Sequence, residues 1–583
     1  MLVSRSERSA RRLIAGLALL AATAVAAPLA TAQKVGPPIP LVPPPAAGPT
    51  LPLPTPAPQE QTAPTLSPPP DLAAPAQTIT GEKLAPPAPG WEGDTSPTGE
   101  PMPSDFWRGT PRALAELLLA HTPDTTSPAL QALLRRLLLS PAAAPEGPDA
   151  AGIGGGLPAL RAVALLRLGE FDGARAVLAA LPEKERAAAE PLAIEIEATA
   201  NHVDAACGKV TESIRRDQSI FWQRSLIACQ ALGGETEKAS LGLQLLGEQA
   251  PEAKSGRDDP LAVAVNALAG RAAPAVVERL DIPDALTLHA LVAAKRRFAP
   301  ALLARLRADM ALTLALDDKA APEIRIAAAE RAAACGALPV AKLRDLYKEL
   351  GGGATGQPGG DAAVERARRF VALSDGVAPG EREARIIVFA EGFPGKDEGG
   401  WLLAARLIAP MIKELAPDPG LAGSAAGLAR LALATGDAEA ARRWLALDPG
   451  HGGELRPVLA LAGGDETRTA GTGDAAAPLS PLLLALNLAL GRTAMPAEWS
   501  RLPASAWSAQ NLHAPPVAAW LDLAEAAREK RVGETVLAAI LVAAPQGGLA
   551  KDPVALYGAI KGLAALGLAP DATRLAVEAA LVR

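Results

Sequence analysis

The sequence predicts an all-α protein, and three observations lead to this prediction. Ala and Leu, which both favour helices, dominate the chain after about residue 105. Val, Ile, Thr and Tyr do not cluster in the alternating runs that indicate strands, and only 3% of the residues are aromatic. Turns that begin with Gly recur between the apolar segments, which is typical of helices joined by short connections.

Residues 1–32 have the pattern of a secretory signal peptide. Four arginines precede a short apolar run, and the small residues Ala30 and Ala32 form the site that a signal peptidase reads. We therefore expect export to the periplasm with cleavage after Ala32. The alternative is an uncleaved inner-membrane anchor through residues 13–30, although a bilayer needs about 20 apolar residues.

Residues 33–104 are predicted to form a Pro-rich disordered linker, because 22 prolines lie between Lys34 and Ser104. Proline has a fixed φ and no amide donor, so this segment cannot form helix or enter a sheet. A spacer, a ligand for a proline-binding groove and a passive tail all agree with such a composition. Three aromatic residues near its end can dock back onto the folded part: Trp91, Phe106 and Trp107.

Apolar segments of helical length, bounded by Gly and Pro, predict the helices in order. Pro111 suits the first turn of the first helix. The predicted helices before residue 351 are 112–120, 127–140, 159–180 with a break at Gly169, 184–201, 203–216, 219–232, 235–249, 261–269, 274–279, 284–296, 299–315 and 322–335. A second set runs from about residue 362 to the end, with interruptions near 449–453 and 463–478.

The Gly-rich loop at residues 351–360 divides these helices into two predicted blocks, 105–350 and 361–583. The formal net charge is −6, and lysines and arginines are scattered without a long basic run. Nucleic acid is therefore not an expected partner, because its binding requires a basic patch. A membrane is an expected partner only if the leader is retained.

A turn signature recurs between the helices: Gly, four residues, then Ala. The five copies are Gly169 with Ala174, Gly234 with Ala239, Gly336 with Ala341, Gly436 with Ala441, and Gly567 with Ala572. The glycine is expected to close one helix in the left-handed conformation. The alanine is expected early in the next helix, where a small side chain lets two antiparallel helices pack closely. The intervals of 65, 102, 100 and 131 residues lie close to multiples of 33 or 34.

This turn resembles that of the tetratricopeptide repeat, whose helix hairpins share a Gly, an aromatic residue and an Ala at this spacing. The best matches are Gly169, Phe171 and Ala174 in one hairpin, and Gly234, Ala239 and Pro251 in another. The resemblance covers about five hairpins and implies an irregular α-solenoid of antiparallel hairpins. It also implies a concave groove for a peptide or protein partner. The alternative is a hairpin stack without a groove ligand. More loosely, the chain is similar to Ala-rich exported proteins of proteobacteria.

Two of the three cysteines are expected to form a disulfide. Cys207 lies ten residues before Asp217 and Cys229 twelve after it, so an antiparallel hairpin places them opposite each other. Their Cα atoms can then come within the ~4.4–6.8 Å that a disulfide needs. Two buried free thiols are the alternative. Cys335 is expected to be an inert core residue, and the cysteine spacing does not fit a zinc site.

The sequence contains no recognisable catalytic, cofactor or metal motif. Five histidines are far apart, and the Gly-rich segments lack the Lys-Ser/Thr ending of a phosphate loop. No Ser-centred nucleophile elbow, zinc-protease motif or calcium loop occurs. We therefore expect a non-catalytic periplasmic scaffold that binds an envelope protein or peptide. The alternatives are a cell-wall enzyme accessory or lytic-transglycosylase-like superhelical protein, and a passive envelope spacer.

Overall fold

Helices form nearly all of the regular structure in the computed structural model, which confirms the predicted all-α class. The residues that it describes are 100–150, 156–249, 259–280, 284–352, 361–373, 380–394, 399–448, 454–463, 480–494, 496–507 and 515–582. The predicted signal peptide, most of the Pro-rich linker and most of the loop at 351–360 lie outside these residues. The described residues belong to one compact unit, Gly81–Arg583.

Some connections between successive helices are a single residue long, and others exceed ten residues. In chain order they are α1 Arg112–His121, α2 Pro128–Leu139, α3 Gly156–Arg167, α4 Phe171–Ala179, α5 Glu183–Ala188, α6 Glu190–Thr199, α7 Val203–Ser213, α8 Ile220–Leu232, α9 Thr236–Gln249, α10 Pro260–Leu268, α11 Ala285–Ala293, α12 Pro300–Leu303, α13 Ala308–Leu316, α14 Pro322–Ala334, α15 Val340–Gly352, α16 Ala362–Ala372, α17 Glu381–Glu391, α18 Gly400–Lys413, α19 Ala422–Ala434, α20 Ala438–Leu445, α21 Arg456–Gly463, α22 Pro481–Ala489, α23 Pro496–Trp499, α24 Val517–Arg528, α25 Val532–Ala543, α26 Pro553–Ala565 and α27 Ala569–Leu581. Two short 3₁₀ helices are Pro419–Leu421 and Ala504–Trp507.

The helix predicted at residues 274–279 is wrong. Val276–Val277 instead forms β1, which pairs in parallel with β2, Arg297–Phe298. Two consecutive β-branched residues after Pro274 favour extended backbone over a helical turn. The helix predicted at 299–315 is likewise divided into α12 and α13, with extended backbone at Arg307 between them.

The five glycines of the turn signature all adopt positive φ, between 72° and 82°. In four turns the next helix begins two residues after the glycine, so the alanine is its fourth residue and is fully buried: Ala174, Ala239, Ala441 and Ala572. The turn after Gly336 differs because α15 begins only at Val340. Ala341 is therefore exposed, and Leu343 occupies the buried fourth position instead.

Helices from the two ends of the described chain pack against each other. α1 contacts α25, and α2 contacts both α25 and α27. In an open array of repeats, each unit touches only its neighbours in the chain. These additional contacts bring both predicted blocks into one hydrophobic cluster, which contains Leu137 of α2 and Leu575 of α27. A second cluster is built from residues between Ile194 and Leu286.

The segment Thr122–Leu139, which we call the hub, comprises α2 and the loop before it. Every residue of α2 except Ala132 is buried or half-buried. In the loop, Asp124 accepts hydrogen bonds from Arg167 at 2.7 Å and from the main-chain N–H of Ala308 at 2.9 Å. The N–H of Thr126 donates to the carbonyl of Gly547 at 2.8 Å. The hub therefore joins segments from the beginning, middle and end of the chain.

Glu578 of α27 binds the N-terminus of α2. It accepts a hydrogen bond from the hydroxyl of Ser127 and another from the N–H of Ala129 at 2.8 Å. Burial raises the pKa of Glu578 to about 7, against the lowering effect of these two donors. About two turns further along α2, Arg136 forms an ion pair with Asp571 at 2.8 Å. The last helix is thus held to the hub by polar contacts as well as by packing.

Arg135 joins two of the signature turns to the hub. Its guanidinium donates to Glu170 at 2.6 Å, to the carbonyl of Leu168 at 3.2 Å and to the carbonyl of Gly336 at 2.8 Å. The turns at Gly169 and Gly336 are themselves in contact, because a Cβ added at Gly169 would overlap the carbonyl oxygen of Ala337. Two hairpins separated by more than 160 residues therefore meet at this arginine.

A disulfide joins Cys207 of α7 to Cys229 of α8, with a Cα–Cα distance of 5.6 Å. This distance lies within the range of ~4.4–6.8 Å that a disulfide needs. Cys335 is buried, and burial raises the pKa of its thiol to about 12. The thiol therefore stays protonated at neutral pH, and the thiolate is the reactive form.

We predict that alanine at Gly169 destabilises the chain more than alanine at Gly567. Both glycines have positive φ, which costs an alanine about 1 kcal/mol. An added Cβ at Gly567 meets no heavy atom of the described residues within 4 Å, whereas the one at Gly169 overlaps Ala337. Overpacking should add about 1–3 kcal/mol for Gly169→Ala. Urea unfolding of both variants measures the difference, and equal midpoints would refute the close approach of the two turns.

We also predict that Glu578 makes the fold less stable as the pH rises. The folded pKa of about 7 exceeds the ordinary value of 4.5, so the folded chain holds a proton that the unfolded chain releases. The stability from this group is complete below the ordinary pKa and is lost as pH rises through the folded pKa.

The variant Glu578→Gln mimics the protonated carboxyl and should remove this dependence. Its melting temperature should exceed that of the wild type by a margin that grows from about pH 5 to about pH 8. The exposed Glu183→Gln is the matched control and should show no such margin. A constant difference across this range would contradict the raised pKa.

Candidate functional site

A groove of about 1120 Å³ runs along α14. Its floor is one face of this helix, formed by Glu323, Ala327, Glu330, Arg331 and Ala334. Each of these residues lies three or four positions from another of them, which places them on one side of a helix. Because α14 has 13 residues, the floor is about 20 Å long.

The walls of the groove come from separate parts of the chain. One wall contains Phe298 of β2 and Leu303 of α12, and the other contains the first turn of α16 with Phe393. Thr126 of the hub also lines the groove. The groove therefore lies where the middle of the chain packs around the hub.

Small side chains keep the groove open. Ala327 and Ala334 lie on the floor, while Ala304 and Ala363 lie in the walls. The opposite face of α14 is packed into the core through Ile326, Ala329 and Ala333, so the helix cannot turn to fill the space. Alanine at these positions therefore shapes a concave surface without weakening the helix.

Glu330 forms a buried polar cluster in the floor. It accepts a hydrogen bond from the hydroxyl of Tyr347 at 2.7 Å and one from Nε of Arg366 at 2.9 Å. A second guanidinium nitrogen of Arg366 donates to the other carboxylate oxygen. The guanidinium also lies 5.8 Å from the ring centre of Phe393. The cluster thereby links α14, α15 and α16 beneath the groove.

Burial and pairing oppose each other in this cluster. Burial raises the pKa of Glu330, and the hydrogen bond from Arg366 counteracts part of the rise. For Arg366, burial lowers the pKa, but the contact with Glu330 outweighs burial and the net pKa is raised. Burial beside Glu330 also raises the pKa of Tyr347 well above its ordinary range. Tyr347 therefore remains a neutral donor at physiological pH.

The remaining charges of the groove are of both signs. Arg297 is exposed, and Nε of Arg331 donates to the carbonyl of Leu306 at 2.9 Å. Asp361 caps α16 by accepting from the N–H of Ala363 at 2.8 Å, and Glu323 lies near the start of α14. The groove thus combines apolar walls with a few charged groups, which is typical of binding sites.

Both ring nitrogens of a buried histidine outside the groove contact hydrogen-bond acceptors. Nδ1 of His289 lies 2.7 Å from Asp317, and its Nε2 lies 2.9 Å from the carbonyl of Ala198. Burial raises the pKa of Asp317, but the hydrogen bond to His289 and further donors outweigh it and the net pKa is lowered. Because both ring nitrogens contact acceptors, His289 serves to join α6, α11 and the end of α13.

The residues that the sequence singled out do not line the groove. The disulfide lies between α7 and α8. The five glycines of the turn signature lie in the connections between helices, and the five alanines lie in the first turn of the helix that follows. Sequence reasoning missed Glu330, Tyr347 and Arg366. A usable signal was present, because Glu330 and Arg331 interrupt a run of alanines and Tyr347 is one of only two tyrosines.

Within the described residues, no group of three or more His, Cys, Asp or Glu side chains is placed to hold a metal ion. In the same part of the chain, no helix has both the length and the apolar character required to cross a membrane. No protein-family model, curated protein or solved structure matches the chain.

We predict that Arg366→Ala destabilises the protein by about 3–5 kcal/mol, because it leaves the carboxylate of Glu330 buried and unpaired. Arg369→Ala is the matched control on the same helix. Its side chain is 70% exposed and pairs with Glu365, so its loss should cost less than about 1 kcal/mol.

Adding Glu330→Gln to Arg366→Ala should recover part of the loss, because a neutral amide then replaces the unpaired charge. Urea unfolding of the three variants measures these differences. If Arg366→Ala costs no more than Arg369→Ala, the buried ion pair is not a structural element of the groove.

Proposed function

We propose that this chain is an exported, non-catalytic helical-repeat scaffold that binds an extended peptide of another envelope protein. The proposed architecture is an irregular α-solenoid of hairpins resembling tetratricopeptide repeats, with its two ends in contact through the hub. The groove along α14 is the observation that carries the proposal. The proposed location is the periplasm.

The dimensions of the groove support an extended ligand. A floor of about 20 Å accommodates roughly six residues of extended chain at about 3.3 Å each. Alanines along the floor leave space for the side chains of a peptide. Arg297 and Glu323 carry opposite charges, which can orient the peptide in one direction.

The pairing of β1 with β2 also supports an extended conformation of the bound peptide. The N–H groups of Arg297 and Ala299 donate to the carbonyls of Ala275 and Val277 at 3.0 Å and 2.9 Å. Main-chain groups of successive strand residues alternate between the two edges, so the N–H and C=O of Phe298 face away from β1. Since Phe298 lines the groove, an extended peptide can pair with this edge.

Glu330 also bears on the cell-wall enzyme alternative. A carboxyl group with a raised pKa in a groove has the character of a general acid. Both of its oxygens, however, already accept hydrogen bonds from Tyr347 and Arg366. This saturation favours a structural role under a binding surface over proton transfer to a substrate.

The test is site-specific photocrosslinking in cells with a probe residue at Ala362, an exposed position in the wall of the groove. We expect one dominant adduct with an envelope protein. A probe at Val388, 70% exposed and outside the groove, is the control and should not give this adduct. The variant Ala327→Trp should fill the groove and abolish the adduct at Ala362.

Equal, diffuse adducts at Ala362 and Val388 would contradict the binding function and favour a passive spacer. Release of peptidoglycan fragments by the purified protein, lost in Glu330→Gln, would favour the enzyme alternative instead.

A further inference from the structure

The outer face of α24 carries large apolar side chains in solvent. Val517 is 67% exposed and Leu521, one turn later, is 64% exposed. Val554, at the start of the neighbouring α26, is 47% exposed. Trp520 lies half-buried beside them, and its ring packs so closely on Gly558 that an added Cβ there would overlap it. We call these four residues, Val517, Trp520, Leu521 and Val554, the α24 patch.

The four residues are neighbours in space. Val517, Trp520 and Leu521 are spaced by three and four residues on one helix and therefore share a face. Val554 lies one turn before Gly558, the glycine that the ring of Trp520 covers. Contiguous exposed apolar surface of this kind marks a site of contact with another segment or molecule.

The described chain begins beside the helix hairpin that carries this patch. Phe106 and Trp107 are buried against Gly533, and the carbonyl of Phe106 accepts from the N–H of Gly533 at 2.9 Å. Gly533 is the second residue of α25, which packs against α24. The aromatic residues at the end of the Pro-rich segment therefore dock back onto the folded part at the hairpin of α24 and α25.

The segment preceding these residues has the composition to cover the patch. Residues 84–91 read L-A-P-P-A-P-G-W and contain no charge. Proline-rich segments lose little entropy on binding because their backbone is already restricted. A tryptophan supplies a large apolar surface and is one of the residues enriched in binding hot spots.

We propose that residues 84–91 of this chain bind the α24 patch, with Trp91 as the principal anchor. Met102 follows Trp91 by eleven positions in the chain, and its N–H donates to the hydroxyl of Ser140 at 2.8 Å. That length of extended chain reaches about 36 Å. It exceeds the length of α24, which is about 18 Å for its 12 residues.

The sequence offers a direct reporter of this contact. Lys83 is the only basic residue between Lys34 and Arg108, so trypsin can cut there alone within this stretch. Binding of residues 84–91 protects the bond after Lys83, because a protease cleaves only the released segment. The rate of cleavage at Lys83 in the purified full chain therefore measures the fraction of time that the segment is free.

We expect Leu521→Asp and Trp91→Ala each to accelerate cleavage at Lys83 by about tenfold. Leu521 is exposed, so its substitution leaves the fold intact. Leu241→Asp is the matched control, because Leu241 is 56% exposed on α9 and also has an exposed leucine one turn later. This variant should be cleaved at the wild-type rate.

Equal rates at Lys83 in the wild type, Leu521→Asp and Trp91→Ala would overturn the proposal. It would also fail if Leu241→Asp accelerated cleavage as much as Leu521→Asp, since the effect would then be nonspecific. Neither outcome depends on the groove along α14, so this test is independent of the proposed peptide-binding function.

Discussion

The contact between Glu578 and the N-terminus of α2 is the interaction on which the closure of the fold depends. The first N–H groups of a helix have no partner within the helix, and a buried helix must find them elsewhere. Ser127 accepts from Leu130, and Glu578 accepts from Ala129. Because Glu578 belongs to the last helix, α2 can be buried in the hub only when α27 is in place. The carboxylate also lies at the positive end of the helix dipole.

The shape of the groove depends on this contact between the two ends of the chain. The side-chain amide of Gln131, on α2, donates to the carbonyl of Ala334 at 2.6 Å, at the last residue of α14. Arg135 then holds the turn at Gly336 that follows α14. Thr126 of the hub contributes to the lining itself. The floor of the groove is therefore fixed at one end by the hub and beneath its centre by Glu330 and Arg366, which preorganises it for a ligand.

The local features of this fold could be predicted from the sequence, whereas its long-range contacts could not. Positive φ at the five turn glycines follows from local sterics, and the pairing of Cys207 with Cys229 follows from a single hairpin. Ser127 and Glu578 are separated by 451 residues, and no periodicity relates them. Glu330, Tyr347 and Arg366 lie on three successive helices and meet only when those helices pack. The turn signature alone does not predict which residues are buried. After Gly336 the connection is two residues longer than in the other turns, so α15 begins later and Ala341 is exposed.

The alanine-rich composition explains why so many of the decisive contacts are polar. A buried alanine removes little apolar surface from water, and burial of each CH₂ group contributes only about 0.8 kcal/mol. Alanine faces also fit together in many registers, because they offer few distinctive shapes. Hydrogen bonds and ion pairs discriminate among such registers more sharply, since a misplaced packing leaves a buried polar group unsatisfied. Arg135, Arg136 and Gln131 on one buried helix have this role. The same small side chains that make those polar contacts necessary leave the floor of the groove open to a ligand.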